Sequence, residues 1–473
     1  MQWKLEEVAG GLGVTAPAGL DPVARVAGVT IDSRAVRPGE LFLAIHGARH
    51  DGHDFVGAAL AAGAAAAVVE RRRLGEYPED IRARLFGVER TLDALQTLAR
   101  AVRRRWAVVS PGRRIAAVTG STGKTTTKEI LAALVAERFR VLKTEGNLNN
   151  EYGLPLTLLK LEDSHEAAVA ELGMSARGEI ARLAQIAEPE IGVVTNVAAV
   201  HLEFFASTEE IALAKRELIE GLAGRDPVAV LNADDARVAR FGEGFRGRVM
   251  TFGFAPGAEF RAEALEERGP AGTAFDFVFP GGRARLELPL IGRHNVANAL
   301  AALAAASLWG VTPAQAGAAF ARLSPAAMRG EVLRFAEGFV VLNDSYNSNP
   351  LALEAMVHLL AATPGHGRRI LVAGEMLELG PQSPALHRRA GEQAARAGVD
   401  WVFAVQGAAR EIAAGARAAG VNNGQARFFE SSAAAAEVLA GFVAAGDLVL
   451  VKGSRGVKME RIVEAIRSRH ALA

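Results

Sequence analysis

The chain has 473 residues, which is too long for one ordinary hydrophobic core and predicts about three domains. Lys and Arg total 54 against 53 Asp and Glu, and this net charge of +1 argues against a nucleic-acid partner. The chain contains no cysteine, which excludes disulfides, thiolate metal sites and a cysteine nucleophile.

The N-terminus and the longest apolar run indicate neither secretion nor membrane insertion. The first residues, "MQWKLEEVAGGLG", are charged and lack the apolar stretch of a signal peptide. The run "AALAAGAAAAVV" (58–69) is shorter than the about 20 residues that span a bilayer. We therefore expect a cytoplasmic protein without membrane insertion, and we expect it to be a monomer.

Residues 1–110 are predicted to form a small mixed α/β domain. "GELFLAI" (39–45) is typical of a strand, the segment 53–69 predicts a helix running into a strand, and 91–106 has apolar residues at helical spacing. The arginine triplets 71–73 and 103–105 are interpreted as solvated surfaces. Pro and Gly within 108–114 mark the first boundary.

Residues 111–323 are predicted to form a central domain with a parallel sheet covered by helices on both faces. Four buried strands are expected, in "RIAAVTG", "EAAVAELG", "IGVVTNV" and "PVAVLNADD". The segment 252–290 indicates antiparallel hairpins with turns at "RGPAG" and "PGG". A helix should follow over "NVANALAALAAASLWG", ending at Gly310.

Residues 324–473 are predicted to form a C-terminal, Rossmann-like α/β domain. The second boundary falls near 323–331, and beyond it apolar strands again precede polar or glycine-bearing turns, in "FVVLNDSYNSNP", "RRILVAGEM", "WVFAVQG" and "DLVLVKGSRG". That alternation is typical of a doubly wound sheet.

The stretch "TGSTGKTTTKE" (119–129) predicts a phosphate-binding loop. It is a variant of the usual pattern, because Val118 stands where the first glycine is expected. Backbone amides from Gly120 to Thr125 would curl round a phosphate, and the following helix would add its positive end. Lys124 would reach the β- and γ-phosphates, and Thr125 would bind Mg²⁺. The alternative is a chance glycine-rich turn.

Two further stretches of the predicted central sheet offer candidates for binding metal. Glu171 ends an apolar strand, where phosphate-loop proteins usually carry a magnesium carboxylate. Asn196 and His201, in "VVTNVAAVHLEFF", offer a second site. Taken alone, His201 is also compatible with a structural or surface role.

Lys215 is unusual because it falls on the apolar stripe of a predicted helix. The helix begins with a capping box of Ser207 and Glu210, and Ile211, Leu218 and Leu222 mark the stripe. A buried lysine is costly unless it is paired or chemically altered. The alternative is that its stem carries the ammonium out to solvent.

Several of these stretches together resemble the Mur ligase family, which builds the peptide of the cell-wall precursor. The resemblance of the central domain is carried by "TGSTGKTTTKE", "TEGNLNNEYGLPLTLL", "ELGMSARGEI", "TNVAAVHLEFF", "IALAKREL" and "HNVANALAA". Residues 30–55 resemble the family's uridine-binding domain. "DSYNSNPLALEAM" and "GEMLELGPQSPALH" resemble the member that joins D-alanyl-D-alanine to UDP-N-acetylmuramoyl-tripeptide. The resemblance covers nearly the whole chain.

The resemblance implies roles for individual residues. It implies ATP phosphate binding by Gly120, Ser121, Thr122, Gly123, Lys124, Thr125 and Thr126; one Mg²⁺ on Thr125 and Glu171; and a second metal near His201. Lys215 matches a position that is often carbamoylated. Asn295 and Asn298 match adenine contacts, although helix capping is an alternative for both. Arg329 and Asp344 match residues that close over phosphate and ribose.

The resemblance also implies a UDP-sugar site, which comprises Ser33, Arg34, Gly47, Asp51 and Gly52. Asn149 and Asn150 would lie between the two substrates. Two departures are Glu375, where Asp is common, and Tyr152, where an aliphatic residue is common.

The implied reaction is ligation through an acyl phosphate. Transfer of the γ-phosphoryl group of ATP activates the tripeptide carboxylate, and the amine of D-alanyl-D-alanine then attacks the acyl phosphate. Catalysis would need charge neutralisation and positioning rather than a protein nucleophile. The alternatives are a relative that adds the third amino acid, a folylpolyglutamate synthetase, or a phosphate-loop switch or scaffold without ligase activity.

Overall fold

A computed structural model describes residues 3–47, 49–110, 112–200 and 202–473. The N-terminal part contains a two-stranded antiparallel pair, β1–β2, and a parallel sheet in the order β3-β4-β5-β6. Its elements are β1 (Trp3–Lys4), α1 (Leu5–Leu12), β2 (Arg25–Val26), β3 (Val29–Thr30), β4 (Leu41–Leu43), α2 (Val56–Ala61), β5 (Ala66–Glu70), α3 (Glu79–Arg82), β6 (Leu85–Val88) and α4 (Thr91–Val109).

The central part is built on one nine-stranded sheet in the order β15-β14-β13-β12-β11-β10-β7-β9-β8. Its elements are β7 (Arg114–Thr119), α5 (Lys124–Val135), β8 (Val141–Lys143), α6 (Gly153–Leu158), β9 (Ala167–Glu171), α7 (Glu179–Ala187), β10 (Ile191–Val194), α8 (Thr208–Glu220), β11 (Val228–Asn232), α9 (Ala236–Ala239), β12 (Arg248–Gly253), β13 (Phe260–Glu267), β14 (Thr273–Phe279), β15 (Gly282–Leu288), α10 (Arg293–Ser307) and α11 (Pro313–Ala321).

The C-terminal part has a six-stranded sheet in the order β16-β17-β21-β18-β19-β20, parallel except for the edge strand β16. Its elements are β16 (Glu331–Arg334), β17 (Val340–Asp344), α12 (Pro350–Ala362), β18 (Arg369–Gly374), α13 (Ser383–Arg396), β19 (Trp401–Val405), α14 (Arg410–Ala418), β20 (Ala426–Phe429), α15 (Ser432–Leu439), β21 (Leu448–Lys452) and α16 (Glu460–Arg469). The predicted α/β fold class is confirmed.

Strand β7 shows why the central sheet is covered on both faces. Ala116 and Val118 pack into one apolar cluster with α5 and α10, whereas Ile115 and Ala117 pack into another with α4, α7 and α8. Alternate residues of a strand point to opposite faces, so a strand buried on both sides reads as a continuous apolar run. This is the pattern on which the prediction of a parallel sheet rested.

The hairpins of the central part extend the same sheet instead of forming a separate layer. Strand β14 pairs antiparallel with both β13 and β15, with turns at 268–272 and 280–281 as predicted. Phe252 and Gly253, however, belong to the parallel strand β12. That strand and the short edge strand β8 were not predicted, because each begins with charged or half-exposed residues.

Two local predictions are wrong. Ser207 caps α8 by accepting from the Glu210 amide at 3.2 Å, but the Glu210 carboxylate accepts from the Ala206 amide and so completes no capping box. Arg103 is buried rather than solvated, and donates to the carbonyls of Ala187 and Glu188 at 2.8 Å. These carbonyls end α7, and a cation stabilises that end of a helix.

Helix α4 packs against both the N-terminal and the central parts. Leu95 and Leu98 belong to the apolar cluster around α1 and β4, whereas Val102 and Trp106 belong to the cluster beneath β7. The helix therefore contributes side chains to both hydrophobic cores and does not serve only as a linker. Among the residues that the structure describes, none of the helices combines the length and apolarity that crossing a bilayer requires.

Candidate active site

The phosphate loop joins strand β7 to helix α5. Residues 120–123 form the turn, with positive φ angles of 149° at Gly120 and 80° at Gly123. A Cβ atom on Gly123 would overlap Oδ1 of Asn298, so α10 packs directly against the turn. Val118, at the position of the first glycine of the usual pattern, is a buried β7 residue. The variant therefore has glycine at the two positions where the backbone requires it.

Asn196 holds this loop and is not free to act as a metal ligand. Its carbonyl accepts from the Ser121 amide at 2.9 Å, and its Oδ1 accepts from the Thr122 amide at 3.0 Å. Its Nδ2 donates to the Thr122 hydroxyl at 2.9 Å. Fewer backbone amides between Gly120 and Thr125 are therefore free to bind phosphate than expected, because the amides of Ser121 and Thr122 already donate to Asn196.

The remaining donors lie at the start of helix α5. The amides of Lys124, Thr125 and Thr126 are in its first turn, where backbone N–H groups have no intrahelical acceptor. The Lys124 ammonium donates to the Gly120 carbonyl at 2.7 Å. Burial lowers the pKa of Lys124, Glu171 opposes this shift, and the positive charge of Arg329 adds to it. An anion bound at this helix end would accept hydrogen bonds from the unpaired amides and would offset the positive charges of Lys124 and Arg329.

Thr125 and Glu171 meet beneath the loop. The Thr125 hydroxyl donates to Oε2 of Glu171 at 2.8 Å, and Nδ2 of Asn149 donates to Oε1 at 2.8 Å. Hydroxyl and carboxylate oxygens suit Mg²⁺, which usually completes its coordination with water and substrate phosphates. Among the described residues, no three His, Asp or Glu side chains lie close enough together to hold a metal ion by themselves. A metal ion here would therefore need water or phosphate oxygens as further ligands. The pair fits a magnesium ion that arrives with a nucleotide.

Lys215 lies on the apolar stripe of α8 and is buried, whereas the periodicity alone left its exposure open; His201 lies outside the described residues. Only 2% of Lys215 is exposed, which excludes the snorkelling alternative. None of the described residues hydrogen-bonds or ion-pairs with its amine. Burial, and to a lesser extent the charge of Lys124, holds the pKa of Lys215 well below its usual value. Leu222, predicted on the same stripe, lies beyond the end of α8 and is only half-buried.

Asn295 and Asn298 lie one turn apart on buried helix α10. Nδ2 of Asn298 donates to Oδ1 of Asn295 at 3.1 Å, and Nδ2 of Asn295 donates to the Ile291 carbonyl at 2.9 Å. Neither residue caps the helix, which begins at Arg293. Both line a cavity, so their remaining polar atoms can meet a ligand.

The C-terminal part contributes Arg329 and Asp344. The Arg329 guanidinium stacks on the ring of Tyr346, 4.0 Å from its centroid. Asp344 ends β17 and pairs with Lys452, whose Nζ lies 2.5 Å from its Oδ2. Lys452 also donates to the Asn347 carbonyl at 2.9 Å. Asp344 and Lys452 are register partners on adjacent parallel strands, which brings together residues 108 positions apart.

One cavity of about 630 Å³ lies between the central and C-terminal parts and brings these residues together. Its lining includes Ser121, Thr122, Gly123, Lys124, Thr125, Thr126, Asn149, Asn150, Glu171, Asn295, Asn298, Arg329 and Asp344. The volume suits a nucleotide-sized ligand. The carboxyl ends of the parallel strands of both sheets point at it, which is where open α/β sheets bind ligands. Gly120 and Lys215 are not among the lining residues.

The residues of the expected UDP-sugar site lie outside this cavity, in the N-terminal part. Ser33 and Arg34 begin a 3₁₀ turn after β3, and the exposed Arg34 pairs with Asp32 at 2.8 Å. The Asp51 carboxylate accepts from the His53 ring and from Arg73, both at 2.6 Å. Burial would raise the pKa of Asp51, but the hydrogen bonds from His53 outweigh it and hold the pKa below its usual range. Asp51 is thus an anchor of its loop.

Gly47 and Gly52 shape the same loop. The Gly47 amide donates to the His50 carbonyl at 3.0 Å, and the Gly52 amide donates to the Ile45 carbonyl at 2.9 Å. A Cβ atom on Gly52 would lie 2.7 Å from the Ile45 amide nitrogen, so only glycine fits there. The amides of both glycines therefore hold this loop in shape.

Three other positions have local structural roles. Oδ1 of Asn150 accepts from the amides of Tyr152 and Gly153, at 3.2 and 2.9 Å, and so supports the start of α6. Tyr152 directly precedes that helix and is half-buried. The Glu375 carboxylate accepts from the Ala408 amide at 2.8 Å, against a turn outside the cavity lining. The two departures noted in the sequence therefore leave the phosphate loop untouched.

Sequence reasoning missed Lys452, Tyr346 and the loop-holding role of Asn196. A lysine at the end of an apolar strand, in "DLVLVKGSRG", is the one signal that could have identified Lys452. The partner of that lysine is set by sheet order, which a single sequence does not display. The same is true of the stacking of Tyr346 on Arg329.

Three family descriptions match the chain in order. The Mur ligase family catalytic domain matches residues 25–103, the Mur ligase middle domain matches 118–306, and the Mur ligase glutamate ligase domain matches 328–455. Over 444 residues the chain is 38% identical to the UDP-N-acetylmuramoyl-tripeptide--D-alanyl-D-alanine ligase of Escherichia coli (strain K12), with 93% of each chain covered.

Two solved structures are similar over almost the whole chain. MurF from Acinetobacter baumannii superposes with a TM-score of 0.88, at 28% identity and with 99% of each chain covered. MurF ligase from Thermotoga maritima, solved in complex with ADP, superposes with a TM-score of 0.82, at 31% identity and with 93% of this chain and 97% of that chain covered.

Proposed function

This chain belongs to the Mur ligase family, and on that premise we propose that it joins D-alanyl-D-alanine to UDP-N-acetylmuramoyl-tripeptide at the expense of ATP, a step in peptidoglycan precursor synthesis. The observation that carries the proposal is the cavity that gathers the phosphate loop, Glu171, Asn295 and Asp344. The full-length similarity to ligases of that name supports the choice of substrates.

The chemistry follows from the poor electrophilicity of a carboxylate. Transfer of the γ-phosphoryl group of ATP to the tripeptide carboxylate forms an acyl phosphate and releases ADP. The amine of D-alanyl-D-alanine then attacks the acyl carbon, and the tetrahedral intermediate collapses with loss of inorganic phosphate and a proton. Lys124 and the amides at the start of α5 would stabilise the negative charge on the transferring phosphoryl group.

The two walls of the cavity would hold the nucleotide. Residues 120–126 would bind the phosphates, and Asn295 and Asn298 would contact adenine from α10. Arg329 and Asp344 would close over phosphate and ribose from the other wall. Because those walls come from different sheets, positioning would depend on how the two parts close together.

Magnesium and a modified lysine complete the proposal. Thr125 and Glu171 would hold Mg²⁺, which neutralises phosphate charge when bound. His201 would help to hold a second ion. Carbamoylation of Lys215 by CO₂ would convert a buried amine into an anionic carbamate with release of a proton. Its lowered pKa supports this, because the reaction needs a neutral amine.

The N-terminal part would bind the UDP-sugar through Ser33, Arg34, Gly47 and Gly52, with Asp51 holding the loop in shape. Asn149 and Asn150 line the cavity and would lie between the two substrates. We further propose that the protein acts as a monomer in the cytoplasm, which gel filtration and cell fractionation would test.

The test of the function is phosphate release from ATP with each substrate omitted in turn. Release should require both UDP-N-acetylmuramoyl-tripeptide and D-alanyl-D-alanine, and mass spectrometry should find the pentapeptide product. Running the assay with diaminopimelate- and lysine-containing tripeptides would identify the preferred third residue. Release that needs only one of the two co-substrates would contradict the proposal.

A further inference from the structure

Lys128 is a second lysine beneath the phosphate loop, one helical turn after Lys124. It lies on α5 and has no exposed surface. Neither nucleotide contact nor helix propensity accounts for a lysine at a fully buried position. A buried ammonium is strongly destabilising unless acceptors surround it, so the partners of Lys128 indicate why it is there.

Three acceptors surround the Lys128 ammonium. Nζ donates to the Thr144 carbonyl at 2.7 Å and lies 3.0 Å from Oε1 of Glu129. It also lies 3.8 Å from Oε2 of Glu171, the oxygen that accepts from the Thr125 hydroxyl. Lys128 therefore contacts the proposed magnesium carboxylate without itself lining the cavity.

Thr144 closes a small network around Glu171. Its hydroxyl accepts from the Glu171 amide at 3.1 Å, while its own amide donates to the Val169 carbonyl at 3.0 Å. Lys128 thus ties together helix α5, the segment between β8 and α6, and the end of β9. These three segments carry Thr125, Asn149 and Glu171, the residues that meet beneath the phosphate loop.

We propose that Lys128 is a positioning residue that fixes Glu171 and Thr125 in the arrangement that binds nucleotide-bound Mg²⁺. This inference rests on the proposed magnesium role of Thr125 and Glu171. Residues that orient metal ligands typically change metal affinity or activity by about 10–100-fold when removed. The effect should therefore appear in the coupling between Mg²⁺ and nucleotide, and not in nucleotide binding alone.

The experiment measures ADP affinity by calorimetry, with and without Mg²⁺, in the full-length protein and in Lys128→Met. Methionine keeps most of the side-chain volume but removes the donors and the charge. The matched control is Lys143→Met, because the half-exposed Lys143 ammonium pairs with the same Glu129 but forms no hydrogen bond or ion pair with Thr144 or Glu171. If Lys128→Met does not fold, Lys128→Gln replaces it and the same outcomes apply.

In Lys128→Met, the gain in ADP affinity that Mg²⁺ confers should fall by about 10-fold or more. Affinity for metal-free ADP should stay within about 2-fold, and the control should behave as the unchanged protein does. An unchanged Mg²⁺ effect, or an equal loss with and without Mg²⁺, would overturn the inference. Because no ligation is measured, this result is independent of the substrate test; phosphate release by the unchanged protein decides the proposed function separately.

Discussion

Gly120 lies directly against Thr195 beneath the phosphate loop. A Cβ atom on Gly120 would overlap Oγ1 of Thr195 and would lie 3.1 Å from its Cβ atom. That same hydroxyl donates to the Thr122 carbonyl at 2.6 Å. The side chain of Thr195 therefore fills the space beside Gly120 and braces the turn that would hold phosphate.

We expect Gly120→Ala to lower ATP affinity by about 10-fold or more and to cost about 1–3 kcal/mol of stability, through overlap and backbone strain. Calorimetric binding and urea denaturation would measure the two effects. Gly365→Ala is a suitable control, because Gly365 also has a positive φ angle, of 81°, but has no atom within 4 Å of an added Cβ. Unchanged ATP affinity in a folded Gly120→Ala protein would contradict this account.

Lys124→Ala should abolish ligation while the protein remains folded. Removal of a group that stabilises transition-state charge typically costs about 10²–10³-fold in rate. Phosphate release would measure the loss, and circular dichroism would check the fold. Lys160→Ala, which removes a half-exposed lysine paired with Glu145, should retain full activity. Near-normal turnover in Lys124→Ala would rule out the phosphate-loop interpretation.

Lys215→Ala should be nearly inactive and should recover partly with formate or acetate. A small carboxylate would occupy the space of the lost side chain and replace the anionic group that carbamoylation supplies. Ligation measured with increasing formate tests this, and chloride at equal ionic strength is the control. Full activity without added carboxylate would show that Lys215 is dispensable.

The unmodified Lys215 amine should make stability depend on pH. Its folded pKa lies well below 10.5, so between that lowered pKa and 10.5 only the unfolded chain carries the proton. The free energy of unfolding therefore rises with pH across this interval. In CO₂-depleted buffer, Lys215→Met should exceed the unchanged protein in stability most at low pH, and the difference should shrink as pH rises. Urea denaturation at several pH values measures it; a difference that grows with pH would refute the burial argument.

Arg34→Ala should weaken UDP-sugar binding by about 10-fold, which is about 1.4 kcal/mol, and leave ATP affinity unchanged. Arg37→Ala, which removes another exposed arginine of the same segment, is the control. A point variant is a more specific test than deleting residues 1–110, because that deletion would remove α4 with Trp106 and expose the apolar side chains of the central part that pack against it. Equal losses of UDP-sugar and ATP affinity in Arg34→Ala would place the effect outside the N-terminal site.

The sequence alone was sufficient for the fold class and for the strand-turn-helix conformation of the predicted phosphate loop. Apolar strands such as 114–119 are buried on both faces, so their composition reveals them without knowledge of their neighbours. The loop depends on residues adjacent in the chain, from Gly120 to Thr125. The place of Lys215 on the apolar stripe of α8 was also readable, because helical periodicity is a local property, but the structure decided that its ammonium does not reach solvent. The domain boundaries and the roles of individual site residues remain predictions.

Only the tertiary structure decided which distant residues are partners. Asp344 meets Lys452 because β17 and β21 are neighbours in a sheet whose order differs from chain order. Asn196 binds the phosphate loop because β10 lies beside β7, and Lys128 reaches Thr144 through a turn after an edge strand that the sequence did not reveal. A hydrogen bond depends on the separation of two atoms in space, and strand order sets that separation for residues far apart in the chain.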